Sequence, residues 1–281
     1  MPVPLVASLN SLSEQDFAPA LSILGHVMIT VDSSNLDQAL TFIPKNFHRF
    51  AVSVDVSAAS SPDDIRCLLD AGASKVFATY EQLKTLRPDV DGSRLALTLD
   101  PASQSKGEIA NAIPDSLVGL YAHETKDLAS IATWLREHGS GDRPPVYALF
   151  RFQPTLEDVQ AVSSLGAIPI VSADLLTADP QKEPSGLPVA DIILASVASD
   201  RQDKLISTLV TDEAGVALGL VYSSPESVKE SLRTGTGVYQ SRKRGLWYKG
   251  ATSGAVQELL KIDLDCDGDC LRFVVKQKGA G

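Results

Sequence analysis

The chain has 281 residues, 44% of them hydrophobic and 21% charged, with a formal net charge of −10. This is an ordinary globular composition, long enough for one large domain or two smaller ones. The acidic balance argues against a nucleic-acid partner, which needs a basic face, and no apolar run approaches the ~20 residues that cross a bilayer.

The N-terminus, MPVPLVASLNSLSEQDF, has no basic n-region and no long apolar core, so neither a signal peptide nor a membrane anchor is expected. Three scattered cysteines, Cys67, Cys266 and Cys270, fit a reducing, cytoplasmic compartment. The charge is uneven. Residues before Lys204 hold 14 Lys+Arg against 26 Asp+Glu, a balance of −12; the remainder hold 11 against 9, or +2.

The first two-thirds alternate short apolar β-type runs with helical stretches. Strands are expected to begin near His26, Phe50, Lys75, Arg94, Leu117, Val146, Ile168 and Asp191, eight runs in all. Helices are expected at Ser61–Ala71, Lys126–His138 and Thr155–Leu165, the first with Ser61 as N-cap, Pro62 in the first turn and Gly72 as the stop. Runs apolar on both faces, alternating with helices, indicate an α/β fold with a mostly parallel sheet, either a compact TIM-barrel-like (β/α)8 closure or an open doubly wound sheet. In a barrel, function would sit at strand C-termini, where Asp32, Asp55, Asp100 and His123 lie; polar residues there are also common caps.

The pattern changes near Ser199–Lys204. A domain boundary is placed there, giving 1–203 as the (β/α)-repeat domain and 204–281 as a small, mostly β, α+β domain. The second part has a β run at Val216–Tyr222 and a capped helix at Ser224–Arg233. Ser227 stands where a full capping box has Glu or Gln.

Chemistry-bearing motifs concentrate after Thr234. The four histidines (His26, His48, His123, His138) make no metal-type spacing, and P-loop, GxSxG and GxGxxG patterns are absent. In Ser241–Gly254, Arg242, Lys243, Arg244 and Lys249 surround Trp247 and Tyr248, followed by Thr252 and Ser253 between Gly250 and Gly254. Arginines fork onto phosphate oxygens, glycines let backbone approach and an aromatic ring covers a base, so these residues suit a planar phosphorylated ligand; composition alone equally suits a solvated turn. In KIDLDCDGDCLRFVVKQ, an extended Asp265–Cys270 would put Asp265, Asp267 and Asp269 on one face and Cys266 and Cys270 on the other. Three aligned carboxylates repel unless a cation neutralises them; hard oxygens suit Mg²⁺ or Ca²⁺ and thiolates suit Zn²⁺. An EF-hand is rejected, since Val274 stands where the loop needs Glu.

Three motifs in order, Ser241-Arg242-Lys243-Arg244, Trp247-Tyr248-Lys249-Gly250-Ala251-Thr252-Ser253-Gly254 and Asp265-Cys266-Asp267-Gly268-Asp269, resemble phosphoribosyl-AMP cyclohydrolase of histidine biosynthesis. The α/β region ahead of them is similar to fungal multifunctional histidine-biosynthesis proteins. The resemblance implies hydrolytic opening of the adenine ring of N1-phosphoribosyl-AMP by metal-activated water. It implies Mg²⁺ on Asp265, Asp267 and Asp269, Zn²⁺ on Cys266, and a homodimer through the C-terminal domain. It also implies substrate contacts from Ser241, Arg242, Arg244, Trp247, Lys249, Gly250, Thr252, Ser253 and Gly254. Cys270 departs from the family pattern and reads as packing. The family's C-H-T-G segment, with its acid/base His and further zinc cysteines, would follow Gly281, so little turnover is expected of the chain as it stands.

Overall fold

The structure is a computed structural model that describes residues 5–12, 23–46, 50–56, 60–86, 88–99, 117–124, 126–138, 145–197, 199, 201–265 and 268–279. His48, Asp100, Cys266 and Asp267 lie outside the described residues. The chain forms two compact units that divide between Leu175 and Leu176, with residues 23–25 belonging to the second.

The first unit is a closed barrel of eight parallel strands: β1 (Val6–Leu9), β2 (His26–Val31), β3 (Ala51–Val56), β4 (Lys75–Ala78), β5 (Leu95–Leu99), β6 (Leu117–Ala122), β7 (Val146–Phe150) and β8 (Ala167–Ser172). Helices α1 (Leu36–Asn46), α2 (Pro62–Asp70), α3 (Tyr80–Leu86), α4 (Asp127–His138) and α5 (Leu156–Ser163) lie between them. Strands such as β7, buried at every position, are apolar on both faces because one face fills the barrel and the other meets helices. Ser61 caps α2 reciprocally with Asp64, and Thr155 does the same for α5 with Asp158.

Pairing of β1 with β8 closes the ring and decides for the barrel over the open sheet. The expected set of eight strands is corrected at both ends. The closing strand is Val6–Leu9, a four-residue run masked in the sequence by neighbouring prolines. The run at Asp191 is a helix, α6 (Val189–Ala195): its buried residues Val189, Ala190, Ile192 and Ile193 have helical spacing, not alternation.

In the second unit, β11 (Ile206–Thr211), β12 (Ala217–Ser223), β15 (Gln257–Leu264) and β16 (Cys270–Gln277) form a sheet of order β12-β11-β16-β15. A ribbon, β13 (Val238–Ser241) with β14 (Gly245–Tyr248), and helix α7 (Pro225–Thr234) pack with it. The short pair β9 (Leu176–Thr177) and β10 (Leu187–Pro188) precedes α6. Residues 176–203, read from the sequence with the first domain, therefore contribute β9, β10 and α6 to this unit. The capping box of α7 is complete after all: Ser227 replaces Glu, its hydroxyl accepting from the Ser224 N–H at 2.8 Å. Phe273, Tyr239, Leu271 and Val275 are the centre of its core.

Candidate functional site

The ribbon's two faces follow strand alternation. Trp247 takes one, its ring centroid 6.0 Å from that of buried Tyr239, whose ring in turn lies 5.7 Å from Phe273. The Arg244 guanidinium sits 5.6 Å and the Lys249 ammonium 5.9 Å from the Trp247 ring. Leu246 and Tyr248 take the other face, where they line a cavity of about 510 Å³ with residues of α6, α7 and the β9–β10 connection. There the Tyr248 hydroxyl donates to Glu230 at 2.7 Å, and Arg233 forks onto the same carboxylate. Arg233's hydrogen bonds, supplemented by Tyr248, hold the Glu230 carboxyl down at about 2.

Sequence positions meant for one pocket are distributed. Ser241 ends β13, and its hydroxyl accepts from the Lys243 and Arg244 N–H groups at 3.4 and 3.2 Å, which shapes the tight ribbon turn. Arg242 turns away from Trp247 and stands 5.0 Å above the Tyr222 ring; Arg201, itself forked onto Asp203, lies 4.5 Å from that ring. Two cation–ring clusters thus result, one on Trp247 and one on Tyr222. Tyr222 and Arg201 were not singled out in the sequence; the available signal was Tyr222 sharing the alternating face of β12 with Leu218 and Leu220.

Gly250–Gly254 forms a separate exposed turn, with the Gly254 N–H donating to the Gly250 carbonyl at 2.8 Å. Gly250 is required by geometry: its φ is +86, and a Cβ would come within 2.4 Å of the Val256 nitrogen. Thr252 and Ser253 are exposed in this turn, and Ser253 accepts from the Ala255 N–H at 3.3 Å.

The acidic motif is the connection of the β15–β16 hairpin, not a strand. Asp265 and Cys270 face each other across its mouth, the Asp265 N–H bonding the Cys270 carbonyl at 3.1 Å and the Cys270 N–H bonding Asp265 Oδ1 at 3.2 Å. Gly268, with φ +77, packs so closely on the Ser196 carbonyl that a Cβ would sit 2.7 Å away. The alternation expected along an extended Asp265–Cys270 is therefore corrected: the hairpin must reverse direction within these residues. Cys270 is half-buried, with its sulfur 3.5 Å from the Leu271 carbonyl. Asp263, one residue inside β15, is buried and held by Lys261 at 2.8 Å and by Arg272 at 2.5 and 3.0 Å. Burial opposes its charge, but these two cations hold its carboxyl below the usual range.

Strand register orders these pieces. Tyr222 pairs with Ser207 and Ser207 with Cys270, so the Arg242 cluster lies about two strand spacings, ~10 Å, from the acidic connection. The Gly250–Gly254 turn leads into the opposite end of β15, ~25 Å away at 3.3 Å per residue. Asp265 and Asp269 bring hard carboxylate oxygens to this hairpin connection, the donor type that suits Mg²⁺. Among the described residues no three His, Cys, Asp or Glu side chains are gathered around one point.

A closed eight-stranded barrel followed by a small β-rich unit, the latter with two cation–ring clusters and an acidic hairpin connection, defines a two-unit α/β and α+β protein. The phosphoribosyl-AMP cyclohydrolase family model matches residues 219–281. The chain is 42% identical over 266 residues to the histidine biosynthesis bifunctional protein of Schizosaccharomyces pombe, covering 93% of this chain and 64% of that protein. It is 43% identical over 279 residues to the trifunctional protein of Neurospora crassa, covering 99% of this chain and 31% of that one. Over 100 residues it is 40% identical to the phosphoribosyl-AMP cyclohydrolase of Chloroherpeton thalassium, 35% of this chain and 69% of that protein. The chain belongs to the phosphoribosyl-AMP cyclohydrolase family, and its similarity to the fungal multifunctional proteins extends through the region ahead of the matched residues. It spans less than two-thirds of the S. pombe relative and about a third of the N. crassa one.

Proposed function

We propose that the C-terminal unit binds N1-phosphoribosyl-AMP and serves the hydrolytic opening of its adenine ring in histidine biosynthesis. The observation that carries this reading is the pair of cation–ring clusters, Arg244 and Lys249 on Trp247 and Arg242 with Arg201 on Tyr222. The substrate carries two phosphates on separate riboses, and two separated cationic positions match it. Arginine forks each take two phosphate oxygens, and the Trp247 ring supplies an apolar wall for the base. Thr252, Ser253 and the Gly250–Gly254 backbone lie ~25 Å from the acidic connection along β15, so one chain does not join them to it.

That separation supports a homodimer through this unit, in which the turn of one copy reaches the hairpin of the other. The outer edge of the sheet also supports it, since Leu218 and Leu220 on edge strand β12, and Val216 just before it, are 43%, 74% and 58% exposed. Asp265, Asp267 and Asp269 would hold Mg²⁺, and Cys266 would contribute to Zn²⁺. Zinc, when bound, brings the pKa of its water to about 7. The residues' own task is to hold the nucleotide's charge and orient its ring toward the hairpin. A cytoplasmic setting is proposed from the sparse cysteines; among the described residues no helix is long and apolar enough to cross a membrane.

The test is a fluorescence titration of the chain with phosphoribosyl-AMP, in a Trp134→Phe background so that Trp247 reports alone. Saturable quenching that weakens in Arg244→Gln is the expected result. No saturation, or saturation indifferent to Arg244, would overturn the reading.

A further inference from the structure

The barrel has a charged constellation of its own. Asp55 ends β3 on its penultimate residue, and its side chain is 3% exposed. Both carboxylate oxygens are taken: Oδ1 accepts from the Tyr121 hydroxyl at 2.9 Å, and Oδ2 is paired with the Arg151 guanidinium. Tyr121 lies near the end of β6, and Arg151 directly follows β7, its N–H donating to the Ala122 carbonyl at 2.7 Å. The guanidinium stands 4.9 Å over the Tyr121 ring, and the His123 ring lies 5.8 Å from the same tyrosine.

The ends of three strands, all at the C-terminal rim of a parallel barrel, thus converge on one arginine. That rim is where barrels of this kind place their ligands, with phosphate commonly taken beyond strands 7 and 8. Asp55 has no lone oxygen left to offer a ligand; its geometry instead fixes Arg151. Burial pushes the Asp55 carboxyl up, against the opposing pull of Arg151 and Tyr121, and burial likewise pushes the Tyr121 phenol up to about 12, so that it remains a donor. A guanidinium has five N–H donors, and one third of the Arg151 side chain remains exposed. Exposed His123 adds a second nitrogen donor. On the next strands round the ring, Ser172 at the end of β8 is tied to Asn10 beyond β1 by a 3.0 Å bond to its oxygen, which leaves its hydroxyl proton for a ligand. An orienting carboxylate behind an arginine, with further donors on adjacent strands, suits a group with three terminal oxygens better than a carboxylate with two.

We propose that the barrel unit carries a second small-molecule site, for a phosphate-bearing metabolite, with Arg151 as its anchor and Asp55 and Tyr121 as positioning residues. The test uses the full chain labelled with ¹⁵N-histidine and titrated with inorganic phosphate, following the imidazole signals. The chain has four histidines, and the signal lost in His123→Gln identifies the reporter. The expected result is a saturable shift of the His123 signal, stronger for phosphate than for acetate at equal ionic strength. Arg151→Gln and Arg151→Lys should each weaken it at least about tenfold, because neither keeps the fork. Arg244→Gln, in the other unit, should leave it unchanged. A structural brace alone would give no phosphate-dependent shift. The absence of saturation, a shift that survives both Arg151 variants, or tighter binding of acetate would each overturn the proposal. If Arg151→Gln fails to fold, Arg151→Lys, which keeps the charge, decides.

Discussion

The hydroxyl of Tyr239 donates a 2.7 Å hydrogen bond to Gln257 Oε1, and Gln257 passes its amide on to Gln277 Oε1 at 3.0 Å. This chain of buried and half-buried polar groups ties the ribbon that bears Trp247 to the first residue of β15 and the last of β16. Burial also raises the Tyr239 phenol, so the hydroxyl stays a donor throughout the working pH range. Tyr239→Phe leaves the Gln257 oxygen without its partner and is expected to cost about 1–3 kcal/mol in urea denaturation. A loss below a few tenths would show that the link carries no load.

Asp263 is predicted to matter more. Asp263→Ala strands Lys261 and Arg272, both about a third exposed, and an expected loss of about 2–4 kcal/mol reflects that partial solvation. Stability of Asp263→Ala within experimental error of the parent would contradict the account of this triad.

Acid should act oppositely on the two units. Asp263 and Glu230 have folded pKa values below their ordinary 3.8 and 4.5, so their contribution is present above those values and is lost as pH falls through the folded ones. Asp55 is raised above 3.8, so its contribution favours the folded barrel in acid and is lost as pH rises through its folded pKa. With Trp247 as sole tryptophan, the urea midpoint of the second unit should drop between about pH 4.5 and 2. The drop should flatten in a double variant, Asp263→Asn with Glu230→Gln. An unchanged slope in that variant would assign the acid sensitivity elsewhere.

At Gly250, alanine meets both a left-handed backbone and the Val256 nitrogen. Gly250→Ala should cost about 2 kcal/mol or more, whereas Ser253→Ala in the same turn should be nearly neutral. Equal midpoints for the two variants would contradict the geometry.

The proposed dimer predicts that Leu220→Glu, at the most exposed apolar position of the sheet edge, shifts the mass measured by sedimentation from two copies to one. A monomeric parent chain at all concentrations would remove this part of the account.

Much of the fold was legible because burial on two faces leaves a plain mark. The runs at Phe50 and Val146 read as strands of a mostly parallel sheet, and Ser61-Pro62 announces a helix. Val6–Leu9 was missed because Pro2 and Pro4, just ahead of so short a run, read as breakers. The helix at Val189 was misread because a short apolar run fits either period until its packing partners are known. At the site, motif order pointed to the ribbon and to the hairpin connection, yet gave neither the grouping of their side chains nor Arg201 and Tyr222. Arg242 and Arg244 are two residues apart but serve different rings, because the tight turn after Ser241 sends them in different directions. The acidic motif looked extended because alternation was applied across a reversal that only the pairing of Asp265 with Cys270 reveals.

The central claim is that two cation–ring clusters hold the two phosphates of one substrate. It is tested most directly by comparing the affinities of phosphoribosyl-AMP and AMP for the parent chain, Arg242→Gln and Arg244→Gln. The account predicts that phosphoribosyl-AMP binds at least about tenfold tighter than AMP, and that each variant alone erases most of that advantage. Equal affinity for the two nucleotides, or an advantage untouched by either substitution, would contradict it.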